Sequence, residues 1–184
     1  MIKALAFIYK KKGLSDGDFK NYYEKNHAPL ATSLLTFEGY ERNFVNANIN
    51  PLFASLGSIS IFQYQSIESL NDIEEQMSSD AGDTLREDEL KFMDVAKNYF
   101  VLTQSDQLTE QRFEKKIFYT CNHEDDLTSL NSYEGLKKIS DNIILESTEM
   151  FGIAEYGITP KAKFDVLKKL IQEHPKAIIT SCVS

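Results

Sequence analysis

The chain has 184 residues, of which 42% are hydrophobic, so it can bury an ordinary core and is not expected to be disordered. Acidic residues (28) outnumber lysine and arginine (20), which gives a formal net charge of −8. Because binding to nucleic acid or to an anionic membrane surface depends on clustered positive charge, and the longest basic run is only Lys10–Lys12, both partner classes are disfavoured.

The sequence carries no targeting signal that we recognise. No segment approaches the roughly 18–20 consecutive apolar residues that cross a bilayer, and the first residues lack the apolar core of a signal peptide. Cys121 and Cys182 are far apart and form no CxxC motif. We therefore expect reduced thiols in a cytoplasmic protein, with a disulfide left as the alternative.

The first predicted elements are a strand and a helix. Residues 2–9 are apolar and partly aromatic, which is typical of a buried strand, and Gly13 ends it. Ser15 and Asp18 match the capping box, a serine followed three residues later by a carboxylate, so a helix should follow. That helix should end or kink near His27, because the residue before a proline is disfavoured in the α region.

Four further elements complete the first half of the chain, and the helical one consists of two pieces. The patterns predict strands over residues 39–46, 58–64 and 99–103, and helices over residues 69–77 and 85–93. The order strand, helix, strand, strand, helix, strand predicts a ferredoxin-like βαββαβ domain, whose antiparallel sheet carries helices on one face. The other face needs a cover, and a second sheet is the usual one.

The second half repeats this order of elements after a polar linker at residues 105–113. The predicted elements are a strand at 115–121, a helix through Leu127–Ile139, strands at 142–146 and 150–158 joined around Ser147-Thr148, a helix starting at Thr159-Pro160, and a strand at 177–183. We therefore expect an α+β fold of two ferredoxin-like domains, residues 1–105 and 113–184, with antiparallel sheets packed as an α+β barrel. The alternative for the second half is a βαβ extension, since the halves share no evident sequence identity.

One contiguous motif resembles a known family. Residues 19–30 read FKNYYEKNHAPL and follow the turn Gly13–Ser15. A Phe, an aromatic pair three and four residues later, and then His-Ala-Pro are similar to the EthD-like family, named for a protein of ethyl tert-butyl ether degradation. The resemblance covers about residues 1–105. It implies a ferredoxin-like domain that pairs sheet to sheet with another copy, as in the dimeric α+β barrel superfamily.

The resemblance also implies a protein that binds or transforms small molecules, since some relatives are cofactor-free lyases. Two features depart from the family pattern. Tyr23 stands where Trp is common, which changes one wall of the implied pocket, and the C-terminal half exceeds the usual single domain. The barrel could therefore form in a homodimer or close within one chain.

His27 is the best candidate for chemistry in the sequence. Its imidazole titrates near neutral pH and can take or give a proton without large tuning. The alternative is structural, because a histidine in a last helical turn can bind free carbonyls and favour the helix dipole. Asp94 could orient a histidine or act as a base, although an acid before a strand is more often a cap or turn residue.

Seven other side chains are candidates for contact with a substrate, and all lie on the predicted first helix or strands. They are Tyr9, Tyr23, Tyr40, Arg42, Phe44, Phe62 and Tyr64. Aromatic walls would suit a flat, hydrophobic ligand, but the same residues could form the dry interface between two sheets. Arg42 could hold a carboxylate or enolate if it faces inward, and it is an ordinary surface charge if it faces outward.

No cofactor or metal ion is expected. The sequence lacks a phosphate loop, a dinucleotide fingerprint and a nucleophile elbow. His123, within Asn122–Asp126, does not predict a metal site, because consecutive loop residues rarely converge on one ion.

Three functional hypotheses remain. The leading one is a cofactor-independent enzyme that binds a hydrophobic, oxygenated substrate between helix 15–27 and the sheet, where His27 acts as general acid or base in a lyase-like or proton-transfer step. The second is a non-catalytic ligand-binding or accessory protein that uses the same barrel. The third is an interaction module whose aromatic residues are all buried between the sheets.

Overall fold

The structure, a computed structural model, describes residues 1–146 and 149–183. The strands are β1 Ile2–Tyr9, β2 Gly39–Val45, β3 Leu56–Tyr64, β4 Tyr99–Gln107, β5 Lys115–Cys121, β6 Leu136–Ile144, β7 Gly152–Ile158 and β8 Ala177–Val183. The α-helices are α1 Asp16–Tyr22, α2 Ala28–Leu34, α3 Ser69–Met77, α4 Asp80–Phe92 and α5 Phe164–Glu173. A π turn, Tyr23–His27, joins α1 to α2, and 3-10 turns lie at Pro51–Phe53, Val95–Lys97 and Glu124–Thr128.

All eight strands form one closed antiparallel barrel in the order β1-β3-β2-β8-β5-β7-β6-β4. The first half contributes β4-β1-β3-β2, the strand order of a ferredoxin-like sheet, and the second half contributes β8-β5-β7-β6. The two half-sheets meet at the β2·β8 and β4·β6 pairs. The predicted fold class, an α+β barrel of antiparallel ferredoxin-like sheets, is confirmed, and the barrel closes within one chain.

A two-fold relation connects the two half-sheets. Strand β5 pairs with β7 and β8 in the same register as β1 pairs with β3 and β4. The β2·β8 junction has the same register as the β6·β4 junction. Equivalent positions on inward faces of the strands carry the same residue type in four cases: Lys3 and Lys116, Thr103 and Thr180, Asn43 and Asn142, and Ile59 and Ile153. The two threonine hydroxyls make equivalent bonds, to the carbonyl oxygens of Lys3 and Lys116.

The barrel interior has an apolar part and a polar part. The apolar part is a cluster of inward-facing side chains from both halves, among them Leu5, Phe7, Ile59, Phe118, Ile153 and Ile178. In the polar part the Lys116 ammonium lies 2.6 Å from Oε1 of Glu41 and 2.8 Å from Oε1 of Glu155, and the Lys3 ammonium lies 3.6 Å from Oε2 of Glu155. Lys116–Glu41 and Lys3–Glu155 both cross from one half to the other.

Helices cover the outside of the first half-sheet. Side chains of α1, the π turn and α4 pack on outward-facing residues of β1 and β2 in a cluster that includes Ile8, Phe19, Tyr23, Phe44 and Phe92. The predicted kink near His27 is a π turn, in which the N–H of Ala28 donates to the carbonyl of Tyr23. The helix continues afterwards as α2, because Pro29 lies in its first turn, where no intrahelical N–H is needed.

The cover of the second half-sheet is smaller than predicted. The predicted helix through Leu127–Ile139 is wrong: only the 3-10 turn Glu124–Thr128 forms, and Leu136 and Ile139 lie in β6. Gly135 has φ of +83°, which ends helical backbone before β6, and Asp126 accepts from the N–H of His123 at 3.0 Å to fix the short turn. The predicted hairpin turn at Ser147-Thr148 lies outside the described residues.

No helix among residues 1–146 and 149–183 has the length and apolar character needed to cross a membrane.

Candidate functional site

His27 ends the π turn and is buried, with 5% of its surface exposed. Its ring stacks on Tyr23, with ring centroids 5.1 Å apart, and lies 5.1 Å from the ring of Phe92 on α4. An insertion of one residue into an α-helix turns the following side chains, and such π turns are frequent at functional sites. Here the turn directs His27 inward against α4.

A carboxylate anchors the His27 ring. Nδ1 of His27 lies 3.0 Å from Oδ2 of Asp88, and only 5% of the surface of Asp88 is exposed. The Tyr22 hydroxyl donates to Oδ1 of Asp88 at 2.7 Å, and the Lys91 ammonium reaches the same atom at 3.4 Å. Asp88 is directed inward because it shares the buried stripe of α4 with Leu85 and Phe92, at three- and four-residue spacing.

The other ring nitrogen of His27 is available for chemistry. Among the described residues Nε2 has no hydrogen-bond partner, and it is not one of the fully buried polar atoms that lack one. Nε2 therefore keeps contact with solvent while Nδ1 is engaged by Asp88.

The electrostatics favour a neutral imidazole beside an ionised carboxylate. Burial lowers the pKa of His27, and the hydrogen bond and charge of Asp88 offset only part of that effect. Burial also acts to raise the pKa of Asp88, but hydrogen bonds from Tyr22 and His27 outweigh it and leave that pKa below the ordinary value. Burial and the neighbouring Asp88 raise the pKa of Tyr22 to about 12, so its hydroxyl stays protonated.

A chain of hydroxyl groups runs beneath the same helices. The Tyr40 hydroxyl donates to the Tyr23 hydroxyl at 2.9 Å, which lies 2.9 Å from Oγ of Ser60, and that atom is 3.3 Å from Oγ of Ser58. Burial raises the pKa of both tyrosines. These phenols are therefore hydrogen-bond donors across the ordinary pH range.

Arg42 faces the helices and is already paired. Its Nε and Nη2 atoms donate to the two carboxylate oxygens of Glu24 at 3.0 and 2.9 Å, and its guanidinium lies 4.9 Å from the ring centroid of Tyr40. A bidentate pair of this kind fixes the side chain in place. A substrate carboxylate would have to compete with Glu24 for Arg42.

The seven predicted contact residues do not surround one cavity. Tyr9 packs against the apolar cluster of the barrel interior, and Tyr23 and Phe44 are buried under α1. The ring of Phe62 stacks on Tyr40 with centroids 4.6 Å apart. Tyr64 is buried at the end of β3, where burial raises its pKa to about 12. Tyr23 is the one of the seven whose ring contacts that of His27.

Two surface depressions lie away from His27. One, of about 280 Å³, is lined by Phe19, Lys20 and Phe44 among others, and lies between α1 and the β2·β8 junction. The other, of about 310 Å³, is lined in part by Gln63 and Tyr64. Neither includes His27.

The remaining candidates of the sequence lie elsewhere. Asp94 pairs with Lys97 at 2.6 Å and does not contact His27. His123 is exposed in the turn before Glu124–Thr128, and no cluster of three metal-ligating side chains occurs in the described ranges. Cys121 and Cys182 are both free.

Sequence reasoning missed Asp88 and the ion network of the barrel interior. A signal for Asp88 was present, since a carboxylate among the apolar positions of a helix needs a buried partner. The pairing of Lys116 with Glu41 and Glu155 joins residues far apart in the chain, and no local pattern indicates it.

Comparison with known proteins finds one family. The EthD domain matches residues 11–96. No curated protein matches the chain. Among solved structures, an ethyl tert-butyl ether degradation (EthD) family protein from Bacillus halodurans C-125 is 20% identical; the match covers 56% of this chain and 98% of that one, with a TM-score of 0.42.

Two other solved structures match along the whole chain. A protein from Fusobacterium nucleatum provisionally described as a monooxygenase is 8% identical, with 100% of this chain and 92% of that one covered and a TM-score of 0.56. A protein provisionally described as a chlorite dismutase is 7% identical, with 100% and 94% covered and a TM-score of 0.58. At these identities the likeness concerns the fold, which in both cases extends over the two half-sheets.

Proposed function

Because residues 11–96 of this chain match the EthD domain, we propose that the protein binds a small hydrophobic, oxygenated molecule and transforms it without a cofactor, with His27 as general acid or base in a lyase-like or proton-transfer step. The observation that carries this proposal is the hydrogen bond of 3.0 Å between Nδ1 of the buried His27 and Asp88. It leaves Nε2 as the atom that exchanges the proton.

The chemistry follows from the state of the two groups. A neutral imidazole whose Nδ1–H donates to a carboxylate carries its lone pair on Nε2, so it can remove a proton from a carbon or hydroxyl of the substrate. The resulting imidazolium is stabilised by Asp88 and can return the proton to another atom.

A second candidate function is non-catalytic binding. The 280 Å³ depression beside Phe44 and Lys20 is open at the surface, whereas His27 is 5% exposed. A protein that only holds its ligand there needs no proton transfer. This alternative predicts saturable binding with no product.

We further propose that the chain comprises two domains, residues 1–105 and 113–184, and that the second takes the place of a partner subunit. The shared strand order and the two-fold register of the half-sheets support this division. The free cysteines fit a reducing, cytoplasmic location.

The test uses benzoylacetic acid and 2,4-dihydroxyacetophenone as probes. The full chain is incubated with each in D2O, and decarboxylation and exchange of C–H protons are followed by NMR. We expect acceleration over buffer with at least one probe and a loss of about 100-fold or more in His27→Gln, because general acid–base catalysis contributes about that much. His174→Gln, a histidine substitution in the second half, is the matched control.

Two results contradict the proposal. One is unchanged turnover in a folded His27→Gln protein. The other is saturable binding of the probes, measured by calorimetry, with no product formed, which supports the binding protein instead.

A further inference from the structure

Both oxygens of the Asp88 carboxylate are engaged by donors from different elements. Tyr22 of α1 and Lys91 of α4 approach Oδ1 at 2.7 and 3.4 Å, and Nδ1 of His27 lies 3.0 Å from Oδ2. On the basis of the proposed function, we propose that Asp88 is a positioning residue that fixes His27 as its Nδ1–H tautomer and thereby presents the Nε2 lone pair to the substrate.

The carboxylate can do this because it only accepts hydrogen bonds. Facing an ionised carboxylate, Nδ1 must carry the ring proton, since an Nδ1 lone pair would be repelled by Oδ2. Tyr22 strengthens the effect, because its hydroxyl donates to Oδ1 and favours the ionised form of the carboxylate. The hydrogen bond between His27 and Asp88, together with the contact of the His27 ring with Phe92, holds the π turn against α4. The orientation of the ring is therefore fixed together with its tautomer.

The charged and titratable groups that face His27 are few. Asp88 of α4 contacts Nδ1 of His27, and its other oxygen, Oδ1, accepts from the Lys91 ammonium of α4 and from the Tyr22 hydroxyl of α1. Tyr23, in the π turn, stacks on the His27 ring. Burial opposes protonation of the ring, so its pKa lies below the ordinary value. Near neutral pH the ring is thus uncharged, and the tautomer decides which nitrogen can act as base.

Asp88→Asn should reverse the tautomer. The amide has one oxygen, and the Tyr22 hydroxyl and Lys91 ammonium both donate on the Oδ1 side, so the oxygen stays there and the NH2 group faces His27. Because NH2 only donates, Nδ1 must become the acceptor and the ring proton moves to Nε2. Adding Tyr22→Phe removes one reason for that orientation, so the double variant should regain part of the Nδ1–H form.

The experiment is a long-range 1H–15N correlation spectrum of the 15N-labelled full chain at pH 7.5, which separates the two neutral tautomers of histidine. The chain has three histidines, and the His27 signals are assigned by their loss in His27→Gln. We expect the Nδ1–H tautomer in the wild type and the Nε2–H tautomer in Asp88→Asn. Asp83→Asn, on the same helix but in an exposed pair with Arg86, should leave the spectrum unchanged.

Activity on a reactive probe completes the test. Asp88→Asn should lower kcat about 100-fold with little change in KM, and the added Tyr22→Phe should restore part of kcat. An Nε2–H tautomer of His27 in the wild type overturns the inference, and this result does not depend on the folding of Asp88→Asn. Unchanged turnover in Asp88→Asn overturns it as well. Unchanged turnover in His27→Gln instead refutes the proposed function, whatever the tautomer.

Discussion

The two halves of the barrel share one sheet and differ in what covers it. Between β1 and β2 the first half places residues 10–38, which form α1, the π turn and α2 and carry His27. Between β5 and β6 the second half has only residues 122–135, with one 3-10 turn and no buried histidine. The sheet needs both halves to close, whereas the candidate chemistry belongs to the helical cover of one half.

Ion pairs inside the barrel connect the two halves, whose outer covers differ. Equivalent lysines, Lys3 and Lys116, enter the barrel from the two halves, but their acidic partners are not equivalent: Glu41 matches Ser140, and Glu155 matches Ile61. The network is therefore a distorted form of two symmetric Lys–Glu pairs. The two halves are thus joined by buried ion pairs, although the candidate chemistry lies in the cover of the first half alone.

The largest expected effect comes from breaking the network that joins the halves. Lys116→Met leaves Glu41 and Glu155 facing each other without their shared cation, and removal of one partner from a buried ion pair costs about 3–5 kcal/mol. Urea unfolding measures this loss. Lys115→Met, at the exposed neighbouring position of β5, is the control and should change the free energy of unfolding by less than about 0.5 kcal/mol. A loss below about 1 kcal/mol for Lys116→Met would show that the halves do not depend on this contact.

A smaller effect is expected from restoring the symmetry of the network. Ser140→Glu with Glu155→Ile moves the second carboxylate to the position equivalent to Glu41, within reach of Lys3, and places Ile at the position equivalent to Ile61. Each single change unbalances the buried charge, so we expect the double variant to recover about 2–3 kcal/mol relative to the summed singles. Additive losses in urea unfolding would show that positions 140 and 155 are not coupled through the buried lysines.

The smallest effect concerns pH and tests the helical cover of the first half. His27 has a folded pKa below its unfolded value of about 6.5, so the unfolded chain binds the proton more readily and stability falls as pH drops below that value. The slope from one such group is at most about 1.4 kcal/mol per pH unit. Between pH 7.5 and 5, His27→Gln should flatten this dependence in urea unfolding. An unchanged pH dependence in the folded variant would contradict a buried, neutral His27.

Local patterns predicted a large part of the fold. The alternation in β1 to β4 and the capping box at Ser15 depend on neighbouring residues, so they could be read directly, and Ser15 does accept from the N–H of Asp18. The prediction of a helix through Leu127–Ile139 was wrong, because the apolar spacing that suggested it is also compatible with a short turn followed by a strand. Gly135 marked the boundary between the two.

The sequence alone determined the order of the elements in the first half, the sheet-forming character of both halves and His27 as the residue to test. These depend on side-chain type and spacing within a few residues. Only the tertiary structure decided that the barrel closes within one chain, that Asp88 meets His27, and that Lys116 joins Glu41 to Glu155. Such contacts join residues that are distant in the chain, and whether they form depends on strand order and register, which no local pattern encodes.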